Sequence, residues 1–190
     1  MYTYIELTHA ITILRKMFTE FESETKNLPL EELLETIKTI TNCNIFEFGD
    51  TKWIQLRGTA MGTPFSCMLA TFYVGYFERT VIIPKYGRWI IWLRRLIDDM
   101  IGLWKDDGTE ECENAWVSFN ADMQTFGQLE WIIEERSDSI EFLDIQLTIN
   151  PKTRYVTLKS HEKPQNLFLY IPHAYARHPG LVKSLVFGQV

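Results

Sequence analysis

An α+β fold with an antiparallel sheet is predicted from three observations. Residues 89–104 form two runs rich in β-branched and aromatic residues around the pair Asp98-Asp99. That is the pattern of two strands joined by a tight turn. Thr63-Pro64 opens a nearly unbroken apolar stretch reaching about Thr80, the pattern of a capped and central helix. The remaining segments group as helices, hairpin, helix, hairpin, helix and strands, an order that belongs to α+β domains.

The elements follow in chain order. Ile11, Leu14, Phe18 and Phe21 recur at helical spacing and predict a helix over 8–22. Asn27-Leu28-Pro29 breaks it. Pro29 opens a second helix over 30–40, with Glu31 and Glu32 in the first turn, where they favour the helix dipole. Residues 45–48 and 52–55 around Gly49-Asp50 predict a short hairpin. Residues 57–62 hold two glycines and predict a loop before the long helix. Pro84-Lys85-Tyr86-Gly87 predicts a turn into the 89–104 hairpin. A third helix is expected over 110–126, with Cys112, Ala115, Trp116, Phe119 and Met123 on one face. Residues 129–134, 140–149 and 155–160 predict three strands, the last two joined at Asn150-Pro151. The tail over 163–190 carries aromatics, prolines, His173 and His178 without a clear period.

Composition bounds the function. The 190 residues suggest one domain, and 46% hydrophobic residues suffice for a core. The net charge of −6 argues against tight sequence-independent binding to nucleic acid, which needs Lys and Arg over phosphates. A local basic groove remains compatible with it. Cys43, Cys67 and Cys112 are far apart, odd in number and match no zinc spacing. They predict reduced thiols in an intracellular protein, nuclear or cytoplasmic. No apolar run has the length of a membrane span and no signal peptide precedes the first charges, so no membrane partner is expected.

The acid pair carries the chemistry. Asp is a common turn residue, and a solvated turn is the plain alternative. Here, however, the flanks are apolar enough to hold both carboxylates on a rigid scaffold. Adjacent carboxylates repel, and a divalent cation relieves the repulsion. Hard oxygen ligands of this kind suit Mg²⁺.

Together the motifs resemble the reverse transcriptase of Penelope-like retroelements. Residues 55–64, Gln-Leu-Arg-Gly-Thr-Ala-Met-Gly-Thr-Pro, followed by Ser66, Leu69-Ala70 and Tyr73, resemble motif B, a glycine loop entering a long helix. Leu96-Ile97-Asp98-Asp99 resembles motif C, the aspartate hairpin, within 93–104. Glu141-Phe142-Leu143-Asp144 resembles the family's Phe-Leu-Asp segment. Lys163-Pro164, Tyr170 and His178-Pro179 resemble the stretch that follows it. Residues 1–11 resemble the end of motif A. The resemblance covers essentially the whole chain as a single palm-centred domain, with later palm strands over 129–160 and a tail over 161–190.

The resemblance implies a right-hand polymerase palm and an RNA-directed DNA polymerase. Its partners would be an RNA template, a DNA primer and deoxynucleoside triphosphates, and its cofactor Mg²⁺. Two-metal transfer needs carboxylates that hold two ions about 3.5–4 Å apart. Asp98 and Asp99 would be two of the three ligands. Tyr2 would exclude a 2′-hydroxyl, or serve as a core aromatic. Gln55, Gly58, Met61, Gly62 and Ser66 would face the nucleotide or template, the glycines by letting the backbone come close. Arg88, Arg94 and Arg95 would meet primer phosphates, although alternation turns one of the adjacent pair away.

The chain departs from the family at Cys67, Thr71 and Leu96, usually Pro, Asn and an aromatic. The motif A aspartate belongs before Tyr2, ahead of Met1. A palm-centred fragment without measurable primer extension is therefore expected. Its alternative to an enzyme is a catalytically incomplete relic or domesticated module that binds nucleic acid or protein.

Overall fold

The computed structural model describes residues 1–21 and 26–161. It divides into two compact units, Met1–Ser137 and Asp138–Val190. The residues over 162–190, including His173 and His178, lie outside the described residues.

The first unit begins with a 3₁₀ turn, Tyr2–Tyr4, and helix α1, Leu7–Glu20. Glu6 caps α1, its carboxylate accepting from the backbone N–H groups of Thr8 and His9 at 2.9 and 2.7 Å. Helix α2, Leu30–Asn42, starts after Pro29 and carries Glu31 and Glu32 in its first turn, as the sequence predicts. Strands β1, Ile45–Phe48, and β2, Thr51–Ile54, pair antiparallel through a turn with Gly49 at φ 60°.

Helix α3 spans Pro64–Phe77, and the Thr63 hydroxyl caps it by accepting from the Ser66 N–H at 3.2 Å. The expected helix end near Thr80 and the turn at 84–87 are corrected. A π-helical turn, Glu78–Ile82, leads into the short helix α4, Ile83–Tyr86. Pro84 sits in the first turn of α4, where its missing N–H and fixed φ cost least.

Strands β3, Ile90–Leu96, and β4, Asp99–Trp104, form the expected hairpin, with Leu96 opposite Asp99. Its two turn residues are Ile97 and Asp98. Helix α5 is Glu110–Met123, and the Thr109 hydroxyl caps it by accepting from the Cys112 N–H.

The strand expected over 129–134 is absent from every ladder. The Gln124 carboxamide takes the place of a neighbouring strand. It accepts from the Trp131 N–H at 3.0 Å and donates to the Trp131 carbonyl at 2.7 Å. The side-chain alternation is nevertheless real: Leu129 is buried, whereas Ile132 is 99% exposed.

The core gathers α1, α2, α3 and α5. Ala10, Ile13 and Leu14 meet Leu34, Leu69, Tyr73, Val74 and Met123, all nearly inaccessible. The β3–β4 hairpin lays Leu93, Ile97, Met100 and Trp104 against the same core. A two-stranded hairpin is marginal alone, so this burial holds it.

The second unit is a three-stranded antiparallel sheet in the order β5 (Ser139–Phe142), β6 (Ile145–Ile149), β7 (Val156–Ser160). The single strand expected over 140–149 is two, because Phe142 pairs directly with Ile145 across Leu143-Asp144. The turn at Asn150 joins β6 to β7 as expected. The fold class is α+β, and the described residues form three small antiparallel sheets rather than one continuous sheet.

Candidate functional site

The site is assembled around the β3–β4 turn. Alternation along β3 turns Leu93 and Arg95 inward and Arg94 and Leu96 outward, and Ile97 in the turn is half-buried. Asp98 and Asp99 are both exposed. Neither carboxylate takes part in a salt bridge or hydrogen bond among the described residues.

The turn is held from behind. The Arg95 side chain is 7% exposed and pairs with Glu78, Nε donating to Oε1 at 2.6 Å and Nη2 to Oε2 at 3.3 Å. Nη1 donates to the Ile97 carbonyl at 2.9 Å and Nη2 to the Thr71 carbonyl at 3.0 Å. One guanidinium thus ties the residue before the acid pair to α3 and to the π-helical turn.

The N-terminal 3₁₀ turn closes the other side. The Tyr2 hydroxyl lies 3.2 Å from the Cys67 Sγ in the first turns of α3. Its pKa is pushed up to about 12. The hydrogen bond with Cys67 is the largest cause; burial follows, then the charges of Cys67 and Asp98. The negative charge of Asp98 therefore reaches the Tyr2 hydroxyl.

Tyr2 also holds the glycine loop. Its carbonyl accepts from the Thr59 N–H at 2.9 Å. Gly58 has φ 73°, and a β-carbon there would collide with the Tyr2 carbonyl oxygen and the Thr3 backbone. This is the close backbone approach that glycine permits.

The remaining candidate residues divide into braces and surface. Gln55 donates through Nε2 to the carbonyls of Arg57 and Thr59, at 2.7 and 3.2 Å, and so braces the loop from within. Ser66 is 1% exposed. Its hydroxyl is shared with those of Thr59 and Thr63, each 2.6 Å away, and ties the loop to the start of α3. Met61 is 75% exposed, and Gly62, at φ 86°, has open space around it.

The structure therefore brings Tyr2, Gly58, Ser66 and Asp98 into one connected assembly. A cleft of about 380 Å³ is lined by Glu6, Asn42, Gln55, Arg57 and Gly58 among others, but by neither Asp98 nor Asp99.

Of the three arginines expected on primer phosphates, Arg95 is the one engaged internally. Arg88 pairs with Glu111 at 2.7 Å and stacks over Trp89. Arg95 is buried in the clamp. Arg94 is exposed and stacks over Trp92. Sequence reading did not find the Glu78 partner. The signal was present in the alternation, which places an arginine of β3 among inward apolar residues, where it demands an acid.

Two adjacent, unengaged carboxylates on a rigid turn fit one hard cation completed by water. They do not by themselves fit two. Among the described residues no group of three or more His, Cys, Asp or Glu side chains is placed to hold a metal ion. Nor is any described helix long and apolar enough to cross a membrane. No family model matches this sequence, and neither a curated protein nor a solved structure matches it.

Proposed function

We propose that this chain is a reverse-transcriptase palm, the core of an RNA-directed DNA polymerase that extends a DNA primer on an RNA template. The observation that carries the reading is the turn at Asp98-Asp99. Its two carboxylates are exposed and make no hydrogen bond or salt bridge among the described residues, on a hairpin buttressed by the helix that follows a glycine loop. The α+β architecture supports the same reading, and so does the motif order in the sequence.

On this reading Asp98 and Asp99 hold Mg²⁺ through their carboxylate oxygens. Bound there, Mg²⁺ would supply charge stabilisation to a phosphoryl transfer. The glycine loop offers backbone at close range, braced by Gln55 and by the Ser66 hydroxyl network. The Tyr2 hydroxyl remains protonated at neutral pH and packs between α3 and the acid turn.

A second reading is a nucleic-acid-binding module that lacks a complete metal centre. It is favoured by the absence of a third suitably placed ligand among the described residues.

The test is primer extension on an RNA template with Mg²⁺, beside template–primer binding by fluorescence anisotropy. Extension that disappears in Asp98→Asn supports the enzyme and overturns the expectation of a fragment without extension. Binding without extension supports the module. Neither binding nor extension contradicts both.

A further inference from the structure

We propose that Arg95, locked by Glu78, is the positioning residue that sets the geometry of the Asp98-Asp99 pair for a divalent cation. The inference rests on reading that pair as a cation site.

Three observations carry it. Arg95 is almost fully buried, and its guanidinium makes contacts in three directions: the Glu78 carboxylate, the Thr71 carbonyl of α3 and the Ile97 carbonyl. A guanidinium has a fixed planar fork of five donors, so bonds in three directions fix both its position and its tilt. Ile97, the residue it grips, has φ 58°. A β-branched residue in the left-handed region is an outlier that persists only where its surroundings impose it. The backbone leaving Ile97 sets where the Asp98 and Asp99 carboxylates start. Finally, those carboxylates make no hydrogen bond or salt bridge among the described residues, so the backbone is what places them.

Charge alone predicts the opposite effect. A guanidinium near a cation site repels the cation, so its removal should tighten binding. If Arg95 works by positioning, its loss weakens binding instead. Arg95→Lys keeps the charge and an ion pair with Glu78 but loses the planar fork, and so isolates geometry from charge.

The experiment is a titration of the full chain with Mn²⁺, reading free Mn²⁺ by electron paramagnetic resonance. Wild type, Asp98→Asn, Arg95→Lys and Arg95→Met are compared, each with its thermal midpoint. The expected result is binding that depends on Asp98 and weakens about tenfold in Arg95→Lys, the scale of residues that orient metal ligands. The thermal midpoint of Arg95→Lys should stay near wild type, and Arg95→Met should also weaken binding. If Arg95→Met does not fold, Arg95→Lys decides alone. Wild-type affinity in Arg95→Lys, or tighter binding in Arg95→Met, overturns the positioning role and leaves the cation site standing. No Asp98-dependent binding in wild type overturns the cation site and the positioning role with it.

Discussion

Alanine at Gly58 and at Gly62 should have unequal costs. Both residues lie in the left-handed region, at φ 73° and 86°. An alanine there costs about 1–2 kcal/mol in backbone strain. Reduced freedom of the unfolded chain offsets about 0.4–1 kcal/mol of that. Gly62 has open space where a β-carbon would stand, so Gly62→Ala should lose about 1 kcal/mol in all. At Gly58 the β-carbon meets the backbone of Tyr2 and Thr3, which cannot rotate away. The collision must move the N-terminal turn and break the bond from the Thr59 N–H to the Tyr2 carbonyl. Added to that strain, overpacking of about 1–3 kcal/mol and a lost hydrogen bond of about 1 kcal/mol bring Gly58→Ala to about 3–5 kcal/mol. Urea unfolding of the two variants measures the difference. A second readout is the Tyr2 hydroxyl, which titrates at about 12 in the intact assembly. Tyrosinate absorbance, with Tyr2→Phe subtracted, should show it falling toward the ordinary tyrosine range in Gly58→Ala and unmoved in Gly62→Ala. Equal losses in the two variants, with Tyr2 unmoved in both, would refute the link between loop and turn.

Three further outcomes are expected. In a double-mutant cycle of Arg95→Met with Glu78→Ala, each single change leaves a largely buried partner uncompensated. Each should cost about 3 kcal/mol, and urea titrations should give a coupling of about 2 kcal/mol; additive losses would contradict the clamp. Lys85 lies 2.6 Å from Asp122, and its hydrogen bond holds the Asp122 carboxyl below the ordinary 3.8, followed by that from the Tyr86 hydroxyl, against an opposing push from burial. A depressed carboxyl contributes stability above its unfolded value and loses it as pH falls through the folded one. Asp122→Asn should therefore flatten the acid limb of the thermal midpoint below about pH 4, and an unchanged limb would contradict this. Gln124→Ala removes the two bonds that satisfy the Trp131 backbone. Hydrogen exchange at the Trp131 amide should accelerate markedly, and an unchanged rate would show that another group protects it.

The elements most legible in the sequence were those fixed by local chemistry. Pro29 and Thr63-Pro64 mark the helix starts, and Gly49 and Asp98 mark hairpin turns. The misreadings share one cause: a non-local or unusual partner supplied what the local pattern lacked. The stretch over 129–134 alternates like a strand, but its backbone partner is the Gln124 side chain, which periodicity does not see. Residues 140–149 read as one apolar run because the left-handed residue at their turn, Leu143 at φ 56°, is neither Gly nor Asn. Ile97 hides the other tight turn in the same way, and only the acids beside it disclosed that one. Pro84 reads as a breaker, yet the π-helical turn before it restarts the helix. In the site, residue types were legible but their directions were not. Gln55 and Ser66 are legible as polar groups of the glycine loop, but the bonds by which they brace it are not, because only tertiary packing decides which way a polar side chain turns.

The central claim is that Asp98 and Asp99 form the cation-holding turn of a palm. Crystals of the chain grown with Mn²⁺, and data collected at the manganese edge, test it directly. The account predicts an anomalous peak about 2.0–2.3 Å from carboxylate oxygens of this pair, absent from crystals of Asp98→Asn. A well-ordered Asp98-Asp99 turn without a peak, or a peak that persists in Asp98→Asn, would contradict it.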